Sequence, residues 1–569
     1  MASSFIAESR VLSTWVNAAD AISENHHWNN ANQPAKAYYW PSESMGTRQW
    51  NTHLSNPLQR ACERCMRGKR KCDKGQPRCG RCHRLESTCV YDYEQGNVSG
   101  TTSHRDSTPQ DVIAQLPPVE SELDQLRSLI MAADVDWCRA IDNFFHTVHN
   151  WFKILPRDKF ESLELYGPDS ETGHKQPRSD GWLSRGPRDF ALLAICTYLV
   201  GLTDDDKGSD GTMFSPFYRA TKRAFATLSC LSLPSMELMQ CGALIALFEF
   251  GHGRGQFAYR TLSETLAMAL TFGIKPGIYA RDNDHPVINR AEEEEGRALW
   301  WGMFILDQYI HMDPLAKDWP LLVKSPSDDY LLPMESVIWN GHSHTLFERR
   351  MPVNGDVSIH LGTFQRAAQA ATLLNKTYRW EQVMKRQPGF PEIAEIEDID
   401  KAIRSMLNAM LEQSHNWDVF CDAFAMCLSS LFMLYRPYVI HLRSREKSQQ
   451  EQALNHVETE QAVAAVRFGV RFVVDLAIQF NSHLSQNPNW LANLAPPANI
   501  TCLQALEHVV VSGDVLPSEQ EGFIEIYKAL KIFSKRWALG EARLELLPQS
   551  KYLCQWATNG ANASVHHGG

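Results

Sequence analysis

CERCMRGKRKCDKGQPRCGRCHRLESTCVYD, residues 62–92, carries six cysteines in the spacing C-x2-C-x6-C-x6-C-x2-C-x6-C. They are Cys62, Cys65, Cys72, Cys79, Cys82 and Cys89, two copies of one C-x2-C-x6-C unit joined by six residues. Thiolates are metal ligands, and paired C-x2-C units hold tetrahedral zinc. Ten Lys or Arg side chains lie between Arg60 and Arg84, so the expected metal knot is strongly basic, as modules that touch nucleic acid are.

Counting sulfurs against metals sharpens this. Two separate four-thiolate sites need eight cysteines, and this stretch has six. Two Zn2+ can each reach four sulfurs only where two thiolates bridge. So short a segment buries no core, and metal binding must supply its folding free energy, on the order of 10 kcal/mol. A disulfide knot conflicts with the lack of a signal-peptide pattern. A thiol metal buffer has no use for the basic residues, and a two-site zinc ribbon leaves Cys72 and Cys89 without a role.

Outside this stretch the charge reverses. The whole chain carries a formal −10, whereas residues 60–92 hold ten basic and four acidic side chains, leaving the remainder at −16. With six thiolates and two Zn2+ the module stays near about +4, and this local field is what meets phosphate. No N-terminal apolar run reads as a signal peptide, and no stretch reaches the ~18 uncharged apolar residues of a membrane span, so a soluble intracellular chain without a membrane partner is expected. The other eight cysteines, Cys138, Cys196, Cys230, Cys241, Cys421, Cys427, Cys502 and Cys554, read as buried free thiols.

The organisation is then a largely mobile arm over 1–59, with a short amphipathic helix around Phe5 to Ile22, and the cysteine module over 60–92. A polar linker with three prolines follows over 93–118. Leu116, Val119, Leu123, Leu126, Ile130 and Ala133 form an a/d seam, helical over 119–133 because Pro117 and Pro118 block an earlier start. Two heptads are too short to hold a homodimer alone. The seam reads equally as a dimer helix and as an amphipathic helix packed on the next domain. From 134 to 550 apolar residues recur at helical spacing, predicting helices over 135–154, 188–202, 216–230, 235–250, 257–272, 292–312, 399–413, 417–436, 460–481 and 518–536. Residues 551–569 read as a mobile tail. The fold class is mostly α: a small two-zinc, six-cysteine DNA-binding module followed by a large all-α domain.

The cysteine stretch resembles the binuclear zinc cluster DNA-binding domain of fungal transcription factors. The resemblance implies that Cys62 and Cys79 bridge two Zn2+, that Cys65 and Cys72 complete one site, and that Cys82 and Cys89 complete the other. It implies that the first helix enters the major groove of double-stranded DNA and reads a CGG triplet, with Lys69 on the guanines. Lys71, Asp73 and Pro77 match the family pattern. Met66 and Gly68 depart from it, standing where basic residues are usual, with Arg67 and Arg70 placed to restore the charge. Arg64, Arg78, Arg81 and Arg84 read as phosphate contacts or as solvated charges.

Three stretches resemble the fungal-specific transcription factor domain, also called the middle homology region. They are FFHTVHNWFKILPRDKF (144–160), ALIALFEFGHGRGQFAYRTLSETLAMALTFGI (243–274) and EEEEGRALWWGMFILDQYIH (292–311), the last placing Trp300, Trp301 and Asp307 at matching positions. Trp300 and Trp301 read as core aromatics, Glu292–Glu295 as an acidic helix start, and Gly251 to Gly255 as a helix–helix turn. The run from Glu392 to Asp400 reads as a helix start, with an activation segment as the alternative. No G-x-S-x-G, H-E-x-x-H or dinucleotide fingerprint is present, so no enzyme is expected. The resemblance implies a nuclear regulator of RNA polymerase II transcription that contacts the transcription machinery and, as many relatives do, governs a biosynthetic gene cluster. A small-molecule effector pocket in the helical domain is a further expectation, with no residue assignable to it.

Overall fold

A computed structural model of the chain describes residues 62–73, 79–85, 89, 124–125, 128, 137–161, 166–168, 175–177, 188–201, 215–274, 290–316, 318–335, 351–386, 396–413, 420–447, 456–512 and 517–544. These fall into two compact units, one within 27–116 that holds the cysteine module and one holding the residues described from 124 onward. The arm, the helix around Phe5 to Ile22, the linker and the tail lie outside the described residues. Of the seam, only Asp124, Gln125 and Ser128 are described, and they are helical and exposed.

The module contributes two one-turn helices, α1 (Glu63–Arg67) and α2 (Gly80–Arg84). The second unit begins with α3 (Trp137–His146), α4 (Asp158–Glu161) and a short antiparallel pair, β1 (Tyr166–Pro168) and β2 (Lys175–Pro177), with Gly167 opposite Gln176. It continues through α5 (Arg188–Gly201), α6 (Pro216–Leu231), α7 (Met236–Gly251), α8 (Gly255–Phe272) and α9 (Arg290–Met312). Its second half holds α10 (Thr363–Met384), α11 (Glu397–Gln413), α12 (Cys421–Lys447), α13 (His456–Gln486), α14 (Pro497–Ser512), α15 (Pro517–Arg536) and α16 (Leu539–Leu544).

Helix starts follow local chemistry. The Ser215 hydroxyl accepts from the Tyr218 N–H at 3.2 Å with Pro216 opening α6, and the Ser235 hydroxyl accepts from the Leu238 N–H at 3.1 Å at the head of α7. Residues 238–251 of α7 are all buried, because α5, α6, α8 and α9 pack around it. The chain leaves α7 through a tight turn in which Gly253 takes φ 73°, which confirms the helix–helix turn expected at 251–255. One apolar core runs from Trp137 to Leu544. Trp537 joins its two halves: its indole N–H donates to the Leu494 carbonyl at 2.7 Å and its ring meets His252 edge-on at 5.7 Å.

Trp300 and Trp301 are fully buried core aromatics, edge to face at 5.0 Å. Asp307 is buried too, and its carboxylate accepts from the Leu322 and Val323 N–H groups at 3.0 and 2.9 Å, pinning the segment after α9. The acidic run splits. Glu292 and Glu293 sit in the first turn as expected, but Glu294 and Glu295 are buried, paired with Arg297 and Lys159. Further departures are physical as well. Cys230 is exposed, unlike Cys196, Cys241, Cys421, Cys427 and Cys502. Cys421–Ile440, of mean hydropathy 1.4, is long and apolar enough to cross a membrane, yet most of it is buried inside the helical unit.

Candidate zinc centre and nucleic-acid interface

The two halves of the module start alike. Cys62 precedes α1 at φ −59°, ψ 152°, and Cys79 precedes α2 at φ −62°, ψ 147°. The Cys62 carbonyl accepts from the Met66 N–H and the Cys79 carbonyl from the His83 N–H, both at 2.9 Å. Each C-x2-C pair therefore puts its first cysteine at the helix cap and its second one turn along, with both sulfurs on one side. Asp73 joins the halves: both its carboxylate oxygens lie 2.9 Å from the Gly80 N–H at the start of α2. Gly80 permits this approach, because a Cβ there would stand 2.5 Å from Asp73 Oδ2.

None of the six cysteines is in a disulfide; Cys62, Cys65, Cys79 and Cys82 form the module's buried cluster, with Cys72 and Cys89 half-buried against it. The Sγ atoms of Cys62, Cys65, Cys72 and Cys79 lie within 4.8 Å of one another, as do those of Cys62, Cys79, Cys82 and Cys89. Cys62 and Cys79 belong to both quartets, with their sulfurs 3.7 Å apart. Cys62 to Cys82 and Cys65 to Cys79 are also 3.7 Å. A tetrahedron with zinc–sulfur bonds of about 2.3 Å has edges of about 3.8 Å, whereas a disulfide would bring sulfurs to about 2.05 Å. The spacing therefore fits two zinc ions held in tetrahedra that share one edge.

Electrostatics inside the cluster point the same way. Burial pushes the Cys62 thiol up strongly and the Cys65 thiol to about 11. The Cys82 N–H, 3.4 Å from Cys79 Sγ, pulls the Cys79 thiol down. The Cys79 N–H reaches Cys89 Sγ at 3.3 Å. Sulfurs this close cannot all ionise without a cation among them, and a bound Zn2+ deprotonates a coordinating thiol outright.

Around this cluster the described basic side chains face water. Arg64, Arg67, Lys69, Arg70, Lys71, Arg81 and Arg84 are all exposed. Helix α1 ends in a Schellman arrangement. The Lys69 N–H donates to the Met66 carbonyl at 3.0 Å and the Arg70 N–H to the Cys65 carbonyl at 2.9 Å. Lys69 holds the left-handed position, at φ 49°, although Gly68 stands beside it. Arg67, Lys69, Arg70 and Lys71 thus cluster at one helix end, directly beyond Cys65. Met66, 52% exposed, is an apolar interruption of that surface. Lys74, Pro77 and Arg78 lie outside the described residues. Sequence reasoning noted Asp73 without its role, and the only signal was its place seven residues before the residue it caps.

Residues 60–97 match the family described as the fungal Zn(2)-Cys(6) binuclear cluster domain, whose members bind two zinc ions. Residues 141–313 match the fungal specific transcription factor domain, from α3 to the end of α9. Transcription factor BOA15 of Botryotinia fuckeliana (strain B05.10) is 25% identical over 163 residues, 28% of this chain and 79% of that protein. No solved structure matches the chain. The chain therefore carries the two domains of fungal binuclear zinc cluster transcription factors, the six-cysteine zinc domain and the fungal specific transcription factor domain.

Proposed function

We propose that the chain is a nuclear, sequence-specific regulator of RNA polymerase II transcription that binds CGG-type half-sites through α1. In this reading Cys62 and Cys79 bridge the two Zn2+, Cys65 and Cys72 complete one site, and Cys82 and Cys89 complete the other. Lys69 donates to guanine O6 and N7, while Arg67, Arg70 and Lys71 hold the flanking backbone. The observation that carries the reading is the exposed cationic cluster at the end of α1, anchored directly on Cys65. Pairing of two chains through the 119–133 seam would set half-site spacing. The helical unit would meet the transcription machinery and a small-molecule effector, and the target genes would form a biosynthetic cluster.

The test is competition binding by the zinc-loaded full chain. Lys69→Ala is expected to cut the preference for CGG-containing over scrambled duplex by roughly 5- to 100-fold, the worth of one good base contact. An unchanged ratio would remove Lys69 as the base reader. Genome-wide occupancy then reports whether the bound promoters cluster.

A further inference from the structure

Met66 is an apolar side chain on an otherwise cationic surface. It is exposed on α1, and Arg64, Arg67, Lys69, Arg70 and Lys71, its neighbours in the chain, are exposed too. The thiol cluster does not take it in: that group is made of the six cysteines alone. A thioether on a flexible, unbranched stem gains nothing from water and gains by covering apolar surface. Among the described residues of the module, the other exposed large apolar side chain is Leu85, at the far end of α2.

Its position relative to Lys69 limits what it can meet. The Lys69 N–H donates to the Met66 carbonyl at 3.0 Å, so one turn of chain closes between the two residues. Residues one turn apart stand about 5–6 Å from each other, and base pairs rise by about 3.4 Å. With Lys69 on a guanine, Met66 falls one or two base pairs away. It has no charge to offer a phosphate and no donor for a base edge. The one apolar group that bases present in the major groove is the C5-methyl of thymine. Neither strand of a CGG triplet contains thymine, so the base pair concerned flanks the triplet.

We infer that Met66 is a specificity-determining residue that reads the C5-methyl of a thymine flanking the CGG triplet. This extends the recognised site beyond the triplet, and it rests on the proposed docking of α1 in the major groove. A methyl contact has its own chemical signature, so it is read separately from the CGG preference.

The test uses the zinc-loaded full chain and duplexes in which each of the two base pairs on either side of CGG is made T·A and A·T in turn. Each duplex is made with thymine and with deoxyuridine, which pairs alike and lacks only the methyl. At one flanking position deoxyuridine is expected to weaken binding about 4-fold, the worth of one buried methyl. Met66→Ala should bind the two duplexes equally, and Leu85→Ala should keep the difference. All three proteins should keep the preference for CGG over scrambled duplex. The inference is overturned if deoxyuridine binds as well as thymine at every position, or if Met66→Ala keeps the difference. Absence of the CGG preference in the unmodified chain would overturn the docking of α1 and this inference with it, whereas CGG preference without a methyl effect overturns the inference alone.

Discussion

Lys69 occupies the left-handed region, where a Cβ costs about 1–2 kcal/mol, with a glycine immediately before it that could have taken that place. A strained residue at the tip of the proposed reading helix suggests that conformation is held there for the side chain it presents. Lys69→Gly should therefore separate stability from recognition. The variant is expected to gain about 1 kcal/mol of module stability, seen as a higher chelator concentration for half-unfolding, while losing CGG preference. Lys69→Ala keeps the strain and should lose preference without that gain. A second buried residue carries a pH signature. Asp422 accepts from the Tyr309 hydroxyl and the Ala423 N–H, both at 2.8 Å, and burial pushes its carboxyl up to about 6. Its folded pKa lies above the ordinary value near 4, so the folded state binds the extra proton, and stability falls as pH rises from about 4 through 6. Asp422→Asn should remove about 2 kcal/mol of that dependence between pH 4.5 and pH 7.5, read from urea unfolding at the two pH values. Equal pH profiles for the two proteins would place Asp422 outside the linkage.

At the scale of elements, the sequence was readable where punctuation such as Gly186-Pro187, Ser215-Pro216, Pro234-Ser235 or Pro517 opens a run of helically spaced apolar residues. The predicted 188–202, 216–230, 235–250 and 518–536 correspond to α5, α6, α7 and α15 within two residues at each end. The short α4 and α16 and the long α10 and α14 were not foreseen, the two long ones for separate reasons. Helix α10 buries Gln365, Arg366, Gln369, Thr372, Asn375 and Thr377 among Phe364, Leu374, Tyr378 and four alanines, so polar residues interrupt its apolar pattern. Arg366 is tolerated there because the Val357 and Ile359 carbonyls each accept from its guanidinium at 2.7 Å. Helix α14 opens on Pro497 after Pro496, a proline pair that reads as a loop. Pro437 misled in the other direction. The predicted helix stopped at 436, yet α12 continues to Lys447, with Tyr438 buried immediately after the proline. In the module the spacing of the cysteines conveyed their grouping, but the link between halves needed coordinates, because Asp73 acts on a backbone N–H that no residue type announces. Asp73→Ala removes that cap. It is expected to lower module stability by about 0.5–2 kcal/mol, measured by chelator titration, and to leave the CGG-to-scrambled ratio unchanged once zinc is saturating. A changed ratio would mean that Asp73 shapes the reading surface itself.

Across the whole molecule, two units rest on different physics. The helical unit has a continuous apolar core that reaches from α3 to α16. The described buried cluster of the module consists of cysteine side chains. Hydrophobic burial scales with area and acts without any ligand, whereas the cluster has close thiols that need a cation. Their responses to metal removal should therefore part. Chelation of the full chain is expected to abolish DNA binding and release two zinc ions per chain, while the far-UV helix signal and the main thermal transition stay within error of the zinc-loaded protein. The charge distribution adds a second readout to the same titration. Residues 60–92 carry ten basic side chains within a chain of net −10, so binding by the zinc-loaded chain should weaken steeply with salt. Collapse of the helix signal together with zinc loss would show that the metal centre supports the whole chain. Release of one zinc ion per chain would show that the edge shared by Cys62 and Cys79 does not hold a pair.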